Sequence, residues 1–132
     1  MTPQPVALGL NLCEKVIVEK GTNNVTLVSN FTKLIVEEFP SPPQRFAVYA
    51  ALTDGLGDAT INLVVTHLDT DEVINTYRAS VHFPDRLFEV RVLFRLSECS
   101  FPAPGRYQFS LLIDGEWIAH RQLEVFPREN GS

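Results

Sequence analysis

The fold is decided by residues Phe101–Trp117, which read FPAPGRYQFSLLIDGEW. Proline and glycine come first, and they indicate a tight turn at the start of this stretch. Large apolar residues then occupy every second position from Tyr107 to Ile113, which is the spacing of a β-strand with one buried face. Asp114-Gly115 fits a two-residue type I′ hairpin turn, in which both residues have positive φ. The stretch therefore predicts a corner, a strand, a hairpin and the start of another strand.

The same alternation of apolar and polar residues recurs through the rest of the chain, and no segment keeps the 3.6-residue period of a helix. We count about seven to eight strands separated by turn-forming residues, an arrangement typical of a sandwich or small barrel. The clearest strand is Leu87–Leu96, and we expect it at the centre of a sheet. The residues on its predicted buried face are Phe88, Val90, Val92, Phe94 and Leu96.

Tyr107 makes the fold class more specific. In immunoglobulin-like domains, a tyrosine near the start of a late strand bonds its hydroxyl group back to a nearby corner. The Cys…Trp…Cys order of antibody domains is absent, because Cys13 and Cys99 both precede Trp117. We therefore predict an all-β protein, an immunoglobulin-like antiparallel β-sandwich without a disulfide. We expect one domain over residues 1–132, with a core from about 6 to 126 and a flexible tail at 127–132.

The last hairpin contains a conflict of parity. The predicted turn places Ile118 opposite Leu111. Leu123 and Val125, which have the spacing of core residues, fall on the opposite parity to Ile118. One extra residue in the strand would reconcile them, so we predict a β-bulge near His120-Arg121.

Composition and charge exclude several functions. The formal net charge is −5 and the chain has no cluster of Lys and Arg, whereas nucleic-acid binding depends on basic patches. The same argument disfavours a membrane surface, and no apolar run is long enough to span a bilayer. We find no signal peptide at the N-terminus, and two cysteines fit a reducing compartment. We therefore expect a cytoplasmic protein that binds neither nucleic acid nor membrane.

No motif for catalysis, a metal or a cofactor is found. His67, His82 and His120 lie in three predicted strands without metal-ligand spacing, and His67 has the parity of the buried face. No nucleophile motif and no phosphate-binding glycine loop occurs. We predict no catalytic, cofactor-binding or metal-binding residues. Convergence of the histidines or of aspartates in space stays open.

The candidate functional residues lie on predicted outer faces. Val64, Leu68 and Leu93 are apolar residues at outward positions, which can mark an interface. Alternatively, they lie beneath Val16–Val18 or Leu34–Val36. We also expect basic residues of two neighbouring strands to form a ladder. This basic ladder consists of Arg78 and His82 beside Arg91 and Arg95. The residues of the predicted interaction surface are Val64, Leu68, Leu93, Arg91, Arg95, His120 and Arg121.

These features favour a non-enzymatic module for protein interaction or scaffolding, whose partner is another protein or a second copy of the chain. One alternative is a module that binds a carbohydrate or another small molecule on a sheet face. Its exposed aromatic side chains would be Tyr49, Tyr77 and Trp117. A metal-dependent enzyme is the third hypothesis.

Several pieces of the chain together resemble a family of small uncharacterised bacterial proteins, a domain of unknown function. The pieces are Cys13–Gly21 (CEKVIVEKG) with Leu27-Val28, Arg45-Phe46, the corner Phe101–Tyr107 and the hairpin Asp114–Trp117. The resemblance covers about Cys13 to Phe126. It implies the sandwich fold and a bacterial origin, and it supplies no site residues.

Overall fold

The computed structural model describes residues 4–128, and in that part of the chain it contains nine strands and no helix. The strands are β1 (Val6–Val18), β2 (Val25–Asn30), β3 (Lys33–Val36), β4 (Gln44–Thr53), β5 (Gly57–His67), β6 (Glu72–Phe83), β7 (Val90–Cys99), β8 (Gly105–Ile113) and β9 (Glu116–Pro127).

The strands form two sheets, one with the order β2-β1-β4-β7 and the other with the order β3-β9-β8-β5-β6. All pairs are antiparallel except β3 and β9, which run parallel. The predicted all-β, immunoglobulin-like sandwich is confirmed. The ninth strand is β3, with which the chain first enters the five-stranded sheet after a positive φ of 54° at Ser29 near the end of β2.

The core lies between the two sheets and consists of the alternate residues of the strands whose side chains point inward. Its largest fully buried side chains include Tyr107, Phe83, Phe101, Phe109, Leu12, Leu52, Ile61, Leu63, Leu111 and Leu123. Each such side chain contributes about 1.5–3 kcal/mol of transfer free energy before conformational entropy is subtracted. The predicted alternation in β8 is confirmed, since Tyr107, Phe109 and Leu111 are completely buried.

The predicted tyrosine corner is present at the start of β8. The Tyr107 hydroxyl donates to the carbonyl of Ala103 at 2.5 Å and accepts from the Ala103 N–H at 3.3 Å. The Phe101 ring packs edge-on against Tyr107 with a centroid distance of 4.8 Å. The corner therefore ties the β7–β8 connection to the core.

The expectation that Leu87–Leu96 forms a central strand is wrong. The strand is β7, Val90–Cys99, and it lies at the edge of the four-stranded sheet. Phe88 precedes the strand and is 51% exposed, so it is not a core residue. The alternation of apolar and polar residues could not show whether this strand lies at the edge or at the centre of its sheet. The inward face of a strand is buried by the opposite sheet and not by the neighbouring strand.

The last hairpin has the predicted turn but a different bulge. Asp114 and Gly115 have φ of 49° and 85°, as a type I′ turn requires. Leu111 pairs with Ala119 and Leu112 pairs with Trp117, so the extra residue is Ile118 and not His120-Arg121. The spacing of the buried residues requires one extra residue in β9 between the turn and Leu123, but it does not define the position of that residue.

The second half of β1 leaves β4 and forms a hairpin with β2. Residues 6–13 of β1 pair with β4, and residues 13–18 pair with β2. The hairpin packs over the outer faces of β4 and β7 and forms a second apolar cluster with them. That cluster contains Cys13, Val16 and Ala47, with Val25, Leu27, Tyr49 and Leu93 packed against it. Leu93 therefore packs with Val16, which is one of the two alternatives that the sequence left open.

Candidate groove and edge strand

The seven residues of the predicted interaction surface do not share one surface. Leu93, Arg91 and Arg95 lie on β7 of the four-stranded sheet, whereas Val64 belongs to β5 of the other sheet. Leu68 follows β5, and His120 and Arg121 belong to β9. The predicted basic ladder is wrong, because β6 and β7 belong to different sheets.

A groove lies between the β1–β2 hairpin and the start of β7, with a volume of about 640 Å³. It is lined by the apolar residues Val16, Val18, Val25, Tyr49, Phe88, Val90 and Leu93 and by the polar residues Asn23, His82, Glu89 and Arg91. Two of the predicted residues, Arg91 and Leu93, are thus in the groove. The sequence missed the groove itself, because it placed Phe88 in the core.

Large apolar side chains are exposed beside the groove. Leu87 is 92% exposed, Phe88 is 51% exposed and Val18 is 50% exposed. The backbone of residues 85–88 is held in place, since Asp54 N–H donates to the carbonyl of Arg86 at 3.0 Å and Leu87 N–H donates to a carboxylate oxygen of Asp85 at 2.8 Å. The exposed pair is therefore presented by an ordered turn.

β7 pairs with β4 on one side, and within residues 4–128 no strand of its sheet pairs with its other side. Arg91 and Arg95 are charged outward residues of β7, and Glu89 directly precedes the strand. The Arg91 guanidinium donates to the carbonyl of Asn23 in the β1–β2 turn, and its Nε lies 3.7 Å from Oε2 of Glu89. Arg95 is exposed farther along the strand. Such exposed ion pairs add little stability, but they give this edge a defined charge pattern.

The outer face of the five-stranded sheet carries a different feature. The bulge at Ile118 places Trp117 opposite Leu112 and His120 opposite Ser110, so both side chains share this face. The two rings stack with a centroid distance of 4.7 Å and an interplanar angle of 18°.

Most of the other residues predicted to form an interaction or ligand surface are less exposed to solvent. Trp117 is 53% exposed, while Tyr49 and Tyr77 are half-buried. Val64 and Leu68 are also half-buried. Arg121 lies opposite the inward residue Phe109 and is half-buried. Of the three aromatic side chains considered for a ligand surface, Trp117 is the exposed one.

The three histidines have separate partners. The buried His67 ring contacts Thr70 Oγ1 at 3.1 Å and the Pro104 carbonyl at 3.3 Å, and it stacks on Tyr107, so its predicted inward position is confirmed. His82 Nδ1 lies 2.7 Å from Oδ1 of Asp58, and both side chains are exposed. Across residues 4–128, no group of three or more His, Cys, Asp and Glu side chains is placed to hold a metal ion.

Both cysteines are free, in agreement with the predicted sandwich without a disulfide, and both are buried. Burial raises the pKa of Cys13 and of Cys99 above the ordinary value, and for Cys99 the Tyr77 and Asn75 side chains offset part of that rise. A raised pKa leaves less of the reactive thiolate, so neither thiol has the character of a nucleophile.

Comparison with known proteins leaves the function open. No curated protein sequence matches the chain. The structure is similar to the CARDB domain of a Pyrococcus furiosus protein in complex with di-metal ions, with 9% identity, a TM-score of 0.48 and coverage of 96% of both chains. It is also similar to an immunoglobulin-like protein from Pseudomonas aeruginosa, with 11% identity, a TM-score of 0.43 and coverage of 92% of this chain and 96% of that one.

A third similar structure is a beta-glucosidase from Listeria innocua, with 11% identity and a TM-score of 0.49. The match covers 94% of this chain but only 16% of the enzyme.

In residues 4–128 there is no helix with the length and hydropathy of a membrane span. The chain matches a family of unknown function, DUF6941, over residues 9–126, and it belongs to that family, as the resemblance in its sequence predicted.

Proposed function

We propose that this protein is a non-enzymatic interaction module that binds another polypeptide at the free edge of β7 and in the adjoining groove. The observation that carries the proposal is the exposure of Leu87 and Phe88 beside an apolar groove at an edge strand. Apolar side chains of this size at such a position favour a partner that removes them from water.

The physical basis is strand addition. An edge strand has backbone N–H and C=O groups on one side that no neighbouring strand satisfies. An extended segment of a partner can pair with them, and its alternate side chains would then enter the groove between β7 and the β1–β2 hairpin. Removing apolar surface from water contributes about 25 cal/mol per Å², which favours burial of Phe88 and Leu87. An accessory or scaffolding role in the cytoplasm is the setting we propose.

Affinity capture with matched variants tests the proposal. The protein with Leu87→Ser and Phe88→Ser should lose the partners that the wild-type chain captures from native lysate. The control carries Ile35→Ser and Val73→Ser, which remove exposed apolar side chains of other strands, and it should keep those partners. Equal capture by both double variants, with unchanged thermal unfolding, would contradict the proposed surface.

A second candidate is binding of a carbohydrate or another planar small molecule on the outer face of β9. The exposed Trp117 ring, held against His120, favours it, because aromatic faces bind sugar rings and other flat ligands by stacking. Trp117 is the chain's one tryptophan, so its fluorescence reports on this face alone. Titration with a panel of oligosaccharides should shift or quench the emission if this candidate is correct, and an unchanged spectrum across the panel counts against it.

A further inference from the structure

The charges along β7 indicate which polypeptide fits it. We propose that β7 pairs antiparallel with β7 of a second copy, around a two-fold axis at Val92, so that the two four-stranded sheets become continuous. This inference rests on the proposed function and names its partner. In this register, Val92 lies opposite Val92 of the second copy, and the numbers of any two opposite residues sum to 184.

The register brings opposite charges together twice. Glu89 lies opposite the partner's Arg95, and by symmetry Arg95 lies opposite the partner's Glu89. Glu89 directly precedes β7 and lies beside the outward Arg91, and Arg95 is an outward residue of β7, so the side chains of each pair share one face of the joined sheet. Directly opposite charges of unlike sign stabilise a cross-strand pair, and charges of like sign destabilise it.

Neighbouring registers lack this complementarity. An axis at Arg91 places Arg91 opposite itself, and an axis at Leu93 places Arg91 opposite the partner's Arg95. An axis at Val90 pairs Glu89 with the partner's Arg91, but it extends the pairing into residues 86–87. That backbone forms a turn held by the hydrogen bonds of Arg86 and Leu87. Val92 is therefore the axis that matches charges while it leaves residues 85–87 of that turn unpaired.

The apolar residues agree with the same register. On the inward face Val92 lies opposite itself and Val90 lies opposite the partner's Phe94. Phe88, which is half-exposed in the single chain, lies opposite the partner's Leu96. The pairing therefore covers one of the two exposed apolar residues at the start of β7, and it gives the free side of the strand hydrogen-bond partners.

The other long edge does not offer this match. β6 is the edge of the five-stranded sheet, and the exposed residues of its outward face are Thr76, Arg78, Ser80 and His82. No acidic side chain is among them, so self-pairing of β6 would form no ion pair of unlike sign. β2 and β3, the remaining edges, have only six and four residues.

Charge reversal and light scattering test the proposal. We expect the wild-type chain to elute with about twice its 14.8 kDa mass at a concentration of about 0.5 mM, where a dissociation constant of about 50 μM gives mostly dimer. Glu89→Arg alone, or Arg95→Glu alone, places like charges opposite each other and should raise that constant at least about tenfold. The chain with both reversals should dimerise like the wild type, because the pairs are re-formed with exchanged signs.

Mixing the two single variants provides the sharpest test of register. The Glu89→Arg chain has two arginines at these positions and the Arg95→Glu chain has two glutamates. A one-to-one mixture should therefore form more heterodimer than either variant alone forms homodimer. Glu116→Arg, in the β9 hairpin away from β7, is the control and should leave the dimer unchanged. Circular dichroism verifies that every variant is folded.

Each other outcome overturns the inference. A wild-type chain that is monomeric at about 0.5 mM excludes self-pairing of useful strength. A wild-type dimer that both single reversals leave intact shows that copies meet through another surface. Loss of captured partners by the Leu87→Ser, Phe88→Ser protein in a monomeric chain would refute self-pairing alone and keep the proposed function.

Discussion

Tyr107 and Tyr77 both bury a hydroxyl group, but their surroundings differ. The Tyr107 hydroxyl makes two hydrogen bonds with the backbone of Ala103. The Tyr77 hydroxyl is buried beside the Cys99 thiol, which is a weak partner, and it makes no hydrogen bond of normal geometry with any described residue. A buried polar group without a partner costs about 1–3 kcal/mol, whereas a satisfied one adds about 1 kcal/mol.

Removal of each hydroxyl group should therefore have opposite consequences. Tyr107→Phe leaves the Ala103 carbonyl and N–H without their partner, and we expect it to lower the free energy of unfolding by about 1–3 kcal/mol. Tyr77→Phe keeps the ring and removes a buried hydroxyl whose partner is the weakly interacting Cys99 thiol, so it should be neutral or raise the free energy of unfolding by up to about 1 kcal/mol. Urea unfolding measures both. Equal destabilisation by the two variants would show that the Tyr77 hydroxyl is as well satisfied in the folded protein as the Tyr107 hydroxyl.

At the scale of elements, two glycines at opposite ends of β8 show how turns are held. Gly115 has φ of 85°, and a Cβ there would meet nothing within 4 Å. Gly105 has φ of 136°, and a Cβ there would lie 2.6 Å from Asp69 Oδ2 and 2.9 Å from His67 Nε2. Both positions need a backbone conformation that glycine adopts easily, but only the corner at Gly105 is also crowded.

We expect Gly115→Ala to cost about 1 kcal/mol, the strain of positive φ alone. Gly105→Ala should cost more, about 2–4 kcal/mol, because the methyl group also displaces the buried His67 ring that stacks on Tyr107. Thermal or urea unfolding of the two variants gives the comparison. A smaller cost at Gly105 than at Gly115 would mean that the β7–β8 corner rearranges freely.

Elements were predictable from sequence where one strand's own pattern defines them. The β8 alternation and the Asp114-Gly115 turn are local, and both are confirmed. The edge position of β7 depends on which strands become neighbours, and the exact place of the bulge depends on how β8 and β9 pair residue by residue. Alternation reports only which face of a strand is buried, so it could not supply either result.

At the scale of the whole molecule, four buried groups share one response to pH. Burial is the first cause that raises the pKa of Cys13, Cys99, Tyr77 and Tyr107 above the ordinary values of 9.0 for cysteine and 10.0 for tyrosine. Above those values the unfolded chain releases protons that the folded chain retains. Ionisation therefore favours the unfolded state as pH rises.

The free energy of unfolding should receive the full contribution of these groups below pH 9.0, the ordinary cysteine pKa, and should lose it as pH rises further. Urea unfolding between about pH 7 and 11 measures the decline. In a chain with Cys13→Ala and Cys99→Ala the decline should begin nearer the ordinary tyrosine value of 10.0. A free energy of unfolding that stays constant across this range would contradict the burial of these groups.

The candidate site was predictable only in fragments. Arg91 and Leu93 were identified from their outward parity, and both line the groove. The predicted surface also included Val64 and His120, which the fold places on the other sheet. Outward parity is a property of each strand, whereas a shared surface requires that the strands belong to the same sheet.

The amino-acid sequence by itself determined the fold class, the β8 corner and hairpin, and the family, because each follows from the order of neighbouring residues. The tertiary structure alone decided that β7 is an edge, that the β1–β2 hairpin covers Leu93, and that Leu87 and Phe88 stay exposed. These results depend on contacts between residues far apart in the chain. The Phe101–Trp117 stretch thus defines what kind of protein this is, and the surroundings of β7 suggest where it binds.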